Sequence, residues 1–269
     1  MNMTRLLTGS AAALVLAALS LPLSALQPPA PAGRGARNAP PPGPTPRTAD
    51  GRPDLHGVWQ GGGPTSDIED GIAEGDTIPY TAFGRKTKDS RMAKDDPEAN
   101  CLPTGVPRHA PYPWRILTTP NASHMYFLFE GNIHSYRQIF MDGRKHPEGD
   151  GLNPTWYGHS VGHWEGDTLV IDTVGFNDRF WFDFVGNPHS ESLHVIERYT
   201  RKDAATMVNE ITIDDPVMYS RPWKVTFTAR ARPDEELMEY ICQENQKDAH
   251  KLQGPAIRDV PRRPGRGGQ

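Results

Sequence analysis

Cysteine is nearly missing from this chain: 269 residues hold two, Cys101 and Cys242, which excludes a disulfide-dense scaffold. Positive charge is not in excess. With 29 Lys and Arg against 33 Asp and Glu, the net charge of −4 gives no global positive field to attract phosphate. No helix-turn-helix, zinc-finger or RNP pattern appears either, so nucleic acid is excluded as a partner. No internal repeat is visible, and no Gly-x-Ser-x-Gly nucleophile elbow exists. Long apolar runs are scarce. The one present, over 6–26, follows Arg5, is diluted by Thr8, Gly9 and Ser10 and is broken by Pro22. It falls short of the ~20 apolar residues of a spanning helix and reads as a secretory signal peptide, cleaved within 20–26. No transmembrane segment is expected after processing, and the expected location is secreted or periplasmic.

Proline and glycine are plentiful at the ends. Eight prolines over 27–48 leave too little apolar surface to offset ordering entropy, so this stretch reads as a disordered linker. Residues 254–269, with four arginines among Gly and Pro, read as a disordered basic tail. The domain expected between them covers 49–253. In an oxidising compartment Cys101 and Cys242 read as a disulfide, the alternative being two free buried thiols. The closed loop of about 140 residues corresponds to roughly 4–5 kcal/mol in the chain-entropy model.

Within 49–253 the first part is loop-rich, with one helix expected over 79–92 behind Pro79. Beyond Cys101, short runs of Val, Ile, Phe, Tyr and Trp alternate with Asp-Gly and Gly-Asp turn signals. They predict strands over 124–130, 135–141, 160–164, 168–173, 193–200, 206–213, 223–230 and 237–243. In the strand from Trp223, Val225, Phe227 and Ala229 share one face with it while Lys224, Thr226, Thr228 and Arg230 take the other. The strand from Leu193 has polar groups on both faces, which suits a barrel whose lumen holds a ligand or a buried polar network. The expected fold is therefore all-β: an antiparallel meander closing into a barrel of about eight strands, with a two-sheet sandwich as second choice. Trp59 is expected to plug one end.

Seven of the ten histidines lie between His124 and His194, with aromatics and carboxylates among them. Aromatic walls with a few convergent polar groups make small-molecule pockets, and imidazoles beside carboxylates transfer protons near neutral pH. The candidate catalytic residues are His159, His189 and His194, with Asp178 and Glu191 as partners. Arg198 and Arg137 are candidate anchors for an anionic or carbonyl oxygen, unless they form structural ion pairs. Trp156, Trp164 and Trp181 are candidate stacking surfaces. The three imidazoles are expected to meet inside the barrel. Ser160 neighbours His159 on a strand, so the two side chains face opposite ways and a hydroxyl–imidazole pair is disfavoured. The run from His189 through Glu191 to His194 matches no strong zinc pattern, and neither metal nor organic cofactor is expected.

Three motifs carry a resemblance. Ala49-Asp50-Gly51-Arg52-Pro53-Asp54-Leu55-His56-Gly57-Val58-Trp59, the run Gly158-His159-Ser160-Val161-Gly162-His163-Trp164-Glu165-Gly166-Asp167-Thr168-Leu169-Val170, and Gly175-Phe176-Asn177-Asp178 resemble a large group of exported, mostly uncharacterised bacterial proteins. That resemblance implies export and a single domain, but no activity. The Gly-x-Trp entry and the strand meander also resemble the calycin, lipocalin-type barrels, which include carriers and enzymes. Two functions follow as expectations. One is an exported barrel enzyme using acid–base chemistry on a small apolar, aromatic or sugar-derived compound, as a lyase, isomerase or hydrolase. The other is a non-catalytic small-molecule or carbohydrate-binding protein of the cell envelope. An envelope interaction protein using its Pro-rich and Arg-rich ends is a third.

Overall fold

The computed structural model describes residues 40–108, 111–245 and 254–256. The expected signal peptide, and most of the expected linker and tail, lie outside these. Nine strands close into a barrel in chain order: β1 (Gly57–Gly61), β2 (Trp114–Thr118), β3 (His124–Phe129), β4 (Tyr136–Phe140), β5 (His159–Glu165), β6 (Thr168–Val174), β7 (His194–Arg201), β8 (Thr206–Asp214) and β9 (Trp223–Ala231). Helix α1 (Ala82–Asp89) is capped by the Thr81 hydroxyl, which accepts from the Gly84 amide. It is shorter at both ends than the helix expected over 79–92.

The closure obeys a parity rule. In a meander of alternating strands, the ninth would run parallel to the first. Here β9 pairs antiparallel with β1 because a single junction, β4 to β5, is parallel, with Ile139 opposite Ser160 and Phe140 opposite Val161. The all-antiparallel expectation is corrected at this junction. A parallel pair needs a connection that runs back along the strands, and residues 141–158 supply it. The barrel has nine strands, close to the eight or so expected, because β1 and β2 join seven of the expected set and 237–243 drops out. Residues 237–243 form no strand: β9 already pairs with β8 and β1, so no edge is open. In their place lies irregular chain leading into a single turn, α2 (Cys242–Asn245).

Period-two patterning fills the lumen. Met207, Asn209, Ile211 and Ile213 of β8 point inward, as do Val195, Glu197 and Tyr199 of β7. Passing along the strands, one apolar cluster gives way to a polar layer and then to a second cluster. On β8, Met207 belongs to the first, Asn209 to the layer, and Ile211 and Ile213 to the second. On β7 the succession is Tyr199, Glu197, Val195. Trp59, 1% exposed, sits in the first cluster and donates from its indole nitrogen to Leu55 O.

The polar layer centres on Arg137. Its Nη1 lies 2.6 Å from Glu197 Oε2, its Nε donates to Ser160 Oγ at 3.0 Å, and its Nη2 donates to Thr173 Oγ1 at 2.7 Å. Tyr199 OH donates to Glu197 Oε1 at 2.8 Å, and Asn209 Nδ2 donates to Gly62 O at 3.0 Å. The lumen thus holds the buried polar network that the two-faced β7 pattern allowed, and among the described residues no histidine bonds to it. Outside the barrel wall, Cys101 and Cys242 form a disulfide with 5.6 Å between Cα atoms. It fastens the C-terminal segment rather than a last strand. The final residues of the expected linker lie along the barrel, where Gly43 O accepts from Ala204 N and Arg47 pairs with Asp167.

Candidate functional site

A cavity of about 690 Å³ opens at the end of the barrel that holds the first apolar cluster. Its floor is buried and apolar, built from Pro53, Leu55 and Met125, with Met141 and Trp164 half-buried beside them. Its rim is polar and exposed: Asp50, Arg52, His56 and His163. Gly162 faces inward here, and a Cβ on it would lie 2.5 Å from Met141 Sδ, so β4 and β5 approach closely only without a side chain. Two of the three motifs meet at this cavity, one supplying Ala49, Asp50, Arg52, Pro53, Leu55 and His56 and the other residues 162–164.

Both rim imidazoles are held by carboxylates two residues away. His56 Nδ1 lies 2.7 Å from Asp54 Oδ1, which also accepts from the His56 amide at 2.9 Å. An ionised carboxylate only accepts, so the proton sits on Nδ1 and the lone pair on His56 Nε2 stays free. His163 Nε2 lies 3.2 Å from Glu165 Oε1, while Arg198 Nη2 donates to Glu165 Oε2 at 2.6 Å. Hydrogen bonds from Arg198 and then His163 hold the Glu165 carboxyl below its usual range. The Arg52 guanidinium stands over the Trp164 ring, 5.7 Å from its centroid.

A second cluster occupies the outer wall, at the neighbouring strands β5, β6 and β7. His194 Nε2 lies 2.8 Å from Asp172 Oδ1, His146 Nε2 lies 3.1 Å from the same oxygen, and His146 Nδ1 lies 2.8 Å from His159 Nδ1. His146 comes from the crossover, the others from the strands. The hydrogen bond to Asp172 holds the His194 pKa above the imidazole norm. His159 moves the other way, lowered by burial, then by His146 and Arg144. Burial alone would raise Asp172, but the bonds from His194 and His146 more than offset it and leave it lowered.

The expected meeting of three imidazoles in the lumen is therefore corrected. His159 and His194 share one cluster, but on the outer wall, because both fall on the outward phase of their strands. His189 is apart from them, 1% exposed against Phe180 and Phe182 of the second apolar cluster, with the Phe180 ring tilted 32° and its centroid 3.7 Å away. Burial pushes its pKa down to about 3, and its Nε2 has no partner. Asp178 and Glu191 are exposed and bond to none of these histidines. Arg198 lies on the outer wall with Glu165, and Arg137 is spent on the buried ion pair. Of the three tryptophans, Trp164 lines the cavity, Trp156 packs on the second cluster, and Trp181 is buried under the Arg91 guanidinium.

Sequence reasoning passed over the Asp54–His56 pair because it lies far from the histidine-dense stretch. The available signal was the Asp-x-His spacing itself, which an Asx-type turn closes locally. Asp172 was legible as an outward residue between inward Ile171 and Thr173. Among the described residues no group of three or more His, Cys, Asp or Glu is arranged to hold a metal ion. The chain matches no family model, no curated protein and no solved structure.

Proposed function

We propose that this is an exported barrel that binds a small, partly apolar compound in the mouth cavity and acts on it by acid–base chemistry, as a lyase, isomerase or hydrolase. The observation that carries the reading is the pairing of an apolar floor with a carboxylate-held imidazole at the rim. Leu55, Met125 and Trp164 would bury the apolar body of the compound, and 690 Å³ lies within the usual range for small-molecule sites. His56 Nε2 is the proton acceptor, and Asp54 fixes its tautomer and stabilises the imidazolium that forms. Arg52 and His163 are placed to bind an oxygen of the compound. The disulfide, together with the lack of a helix long and apolar enough to cross a membrane among the described residues, agrees with a secreted or periplasmic location.

One observation favours a binding protein without chemistry. The His56 and His163 side chains are 45% and 58% exposed, so the rim alone does not exclude water. The test separates the two readings. Compounds that displace the neutral dye Nile red are incubated with the protein and analysed by mass spectrometry. Conversion that His56→Ala abolishes while displacement persists supports the enzyme. Recovery of every bound compound unchanged supports the carrier, and failure of the dye to bind rejects both.

A further inference from the structure

We propose that the His146–His159 contact is an acid-opened latch that, beside the His146–Asp172 bond, holds the β4–β5 crossover on the barrel and so lets pH loosen one wall of the mouth cavity. The proposal rests on the reading of that cavity as the binding site. The geometry begins with parity: the parallel junction obliges residues 141–158 to run back along the outside of the barrel. The crossover is tied by backbone at both ends. Met141 N donates to Ser123 O at 2.8 Å, and Thr155 N donates to Gly175 O at 3.0 Å. Between these ties, among the described residues, hydrogen bonds from 142–152 to the barrel wall come from His146 alone. Met141 and Gly143, at the start of the same segment, line the cavity.

The proton count gives the latch its sign. Asp172 accepts from His146 Nε2, so His146 Nδ1 carries the lone pair and must accept from His159 Nδ1–H. One added proton is tolerated, because a cationic His159 still donates to a neutral His146. A second leaves two donors facing one another and no acceptor, so the His146–His159 bond is lost and the crossover is held at His146 by the Asp172 bond alone. Opening is therefore a two-proton event, steeper than the titration of one imidazole.

The surrounding charges set where it falls. Arg144, which pairs with Asp142 and lies 3.9 Å over the Phe140 ring, disfavours the proton on His159. His124 of β3 meets the same ring edge-on at 5.3 Å. Asp172 of β6 accepts from both His146 and His194 of β7, with Asp214 of β8 opposite His194. With the His159 pKa lowered in the folded protein, the contact is complete above the ordinary imidazole value and is lost only at lower pH, once both rings carry the added proton.

The experiment follows amide protection in 142–152, corrected for intrinsic exchange, together with Nile red affinity, between about pH 7.5 and pH 4.5. Protection there should fall by roughly tenfold or more while β7 and β8 stay protected, and Nile red should bind more weakly in parallel. His159→Phe, which keeps a ring against Phe140 but cannot hydrogen-bond, should show low protection at both pH values. Unchanged protection in the wild type, or wild-type pH dependence in His159→Phe, overturns the latch. Loss of protection with constant dye affinity overturns its control of the cavity. If the dye binds at no pH, the cavity reading fails and amide protection alone still decides the latch.

Discussion

Arg137 and Glu197 face each other across the middle of the barrel, 2.6 Å apart and 2% and 0% exposed. They form an ion pair rather than an aligned hydrogen bond, since Glu197 Oε2 has no hydrogen-bond donor in line with it. Ser160, Thr173 and Tyr199 complete the shell of the pair. Along β7 the pair lies between the two apolar clusters, with Tyr199 in one and Val195 in the other.

Removing one partner leaves the other as an uncompensated buried charge. Arg137→Met should destabilise the fold by about 3–5 kcal/mol. Adding Glu197→Gln should recover part of the loss, because a neutral amide replaces the stranded carboxylate. Urea unfolding of the two variants and the wild type checks this, and equal loss in single and double variants would contradict it.

The Cys101–Cys242 bond closes a loop spanning 141 positions. Reduction, or Cys101→Ser with Cys242→Ser, should lower stability by about 2–5 kcal/mol, measured by denaturant midpoint with the m-value monitored. Nile red binding at the cavity should survive, since neither cysteine lines it.

His189 is held neutral by burial, its pKa lowered to about 3 from an ordinary 6.5. The unfolded chain binds this proton and the folded one does not. His189 therefore costs stability as pH falls from 6.5 toward 3, with a slope of at most about 1.4 kcal/mol per pH unit. Asp183 acts in the opposite sense: burial raises its pKa to about 6, so its burden lifts as pH falls below that value. His189→Phe, next to Phe180 and Phe182, should flatten the acid side of the stability profile. Thermal unfolding at a series of pH values reads this, and an unchanged acid slope would contradict it.

The strands from β3 to β9 were legible where side chains alternate between core and water and a turn signal follows. The Gly166 turn between β5 and β6, at φ +59°, is one such signal. β1 and β2 escaped because Gly57 and Gly61 flank one and Pro111 and Pro113 precede the other, so each reads as loop. Residues 237–243 carry strand-like alternation, but a sequence does not reveal that the barrel has already closed. The site divides the same way. That His159 and His194 belong to one cluster was legible from composition. Their side of the wall depends on strand phase, and their link through His146 depends on the path of a crossover that only the parallel junction dictates.

The central claim is that the mouth cavity is the binding site, and methionine methyl NMR tests it most directly. Met125 and Met141 line the cavity, whereas Met207 and Met218 are sealed in the two apolar clusters. Titration of methyl-labelled protein with Nile red should shift the signals of Met125 and Met141 and leave those of Met207 and Met218 in place. Shifts confined to Met207 or Met218, or saturating dye with no shift at Met125 and Met141, would contradict it.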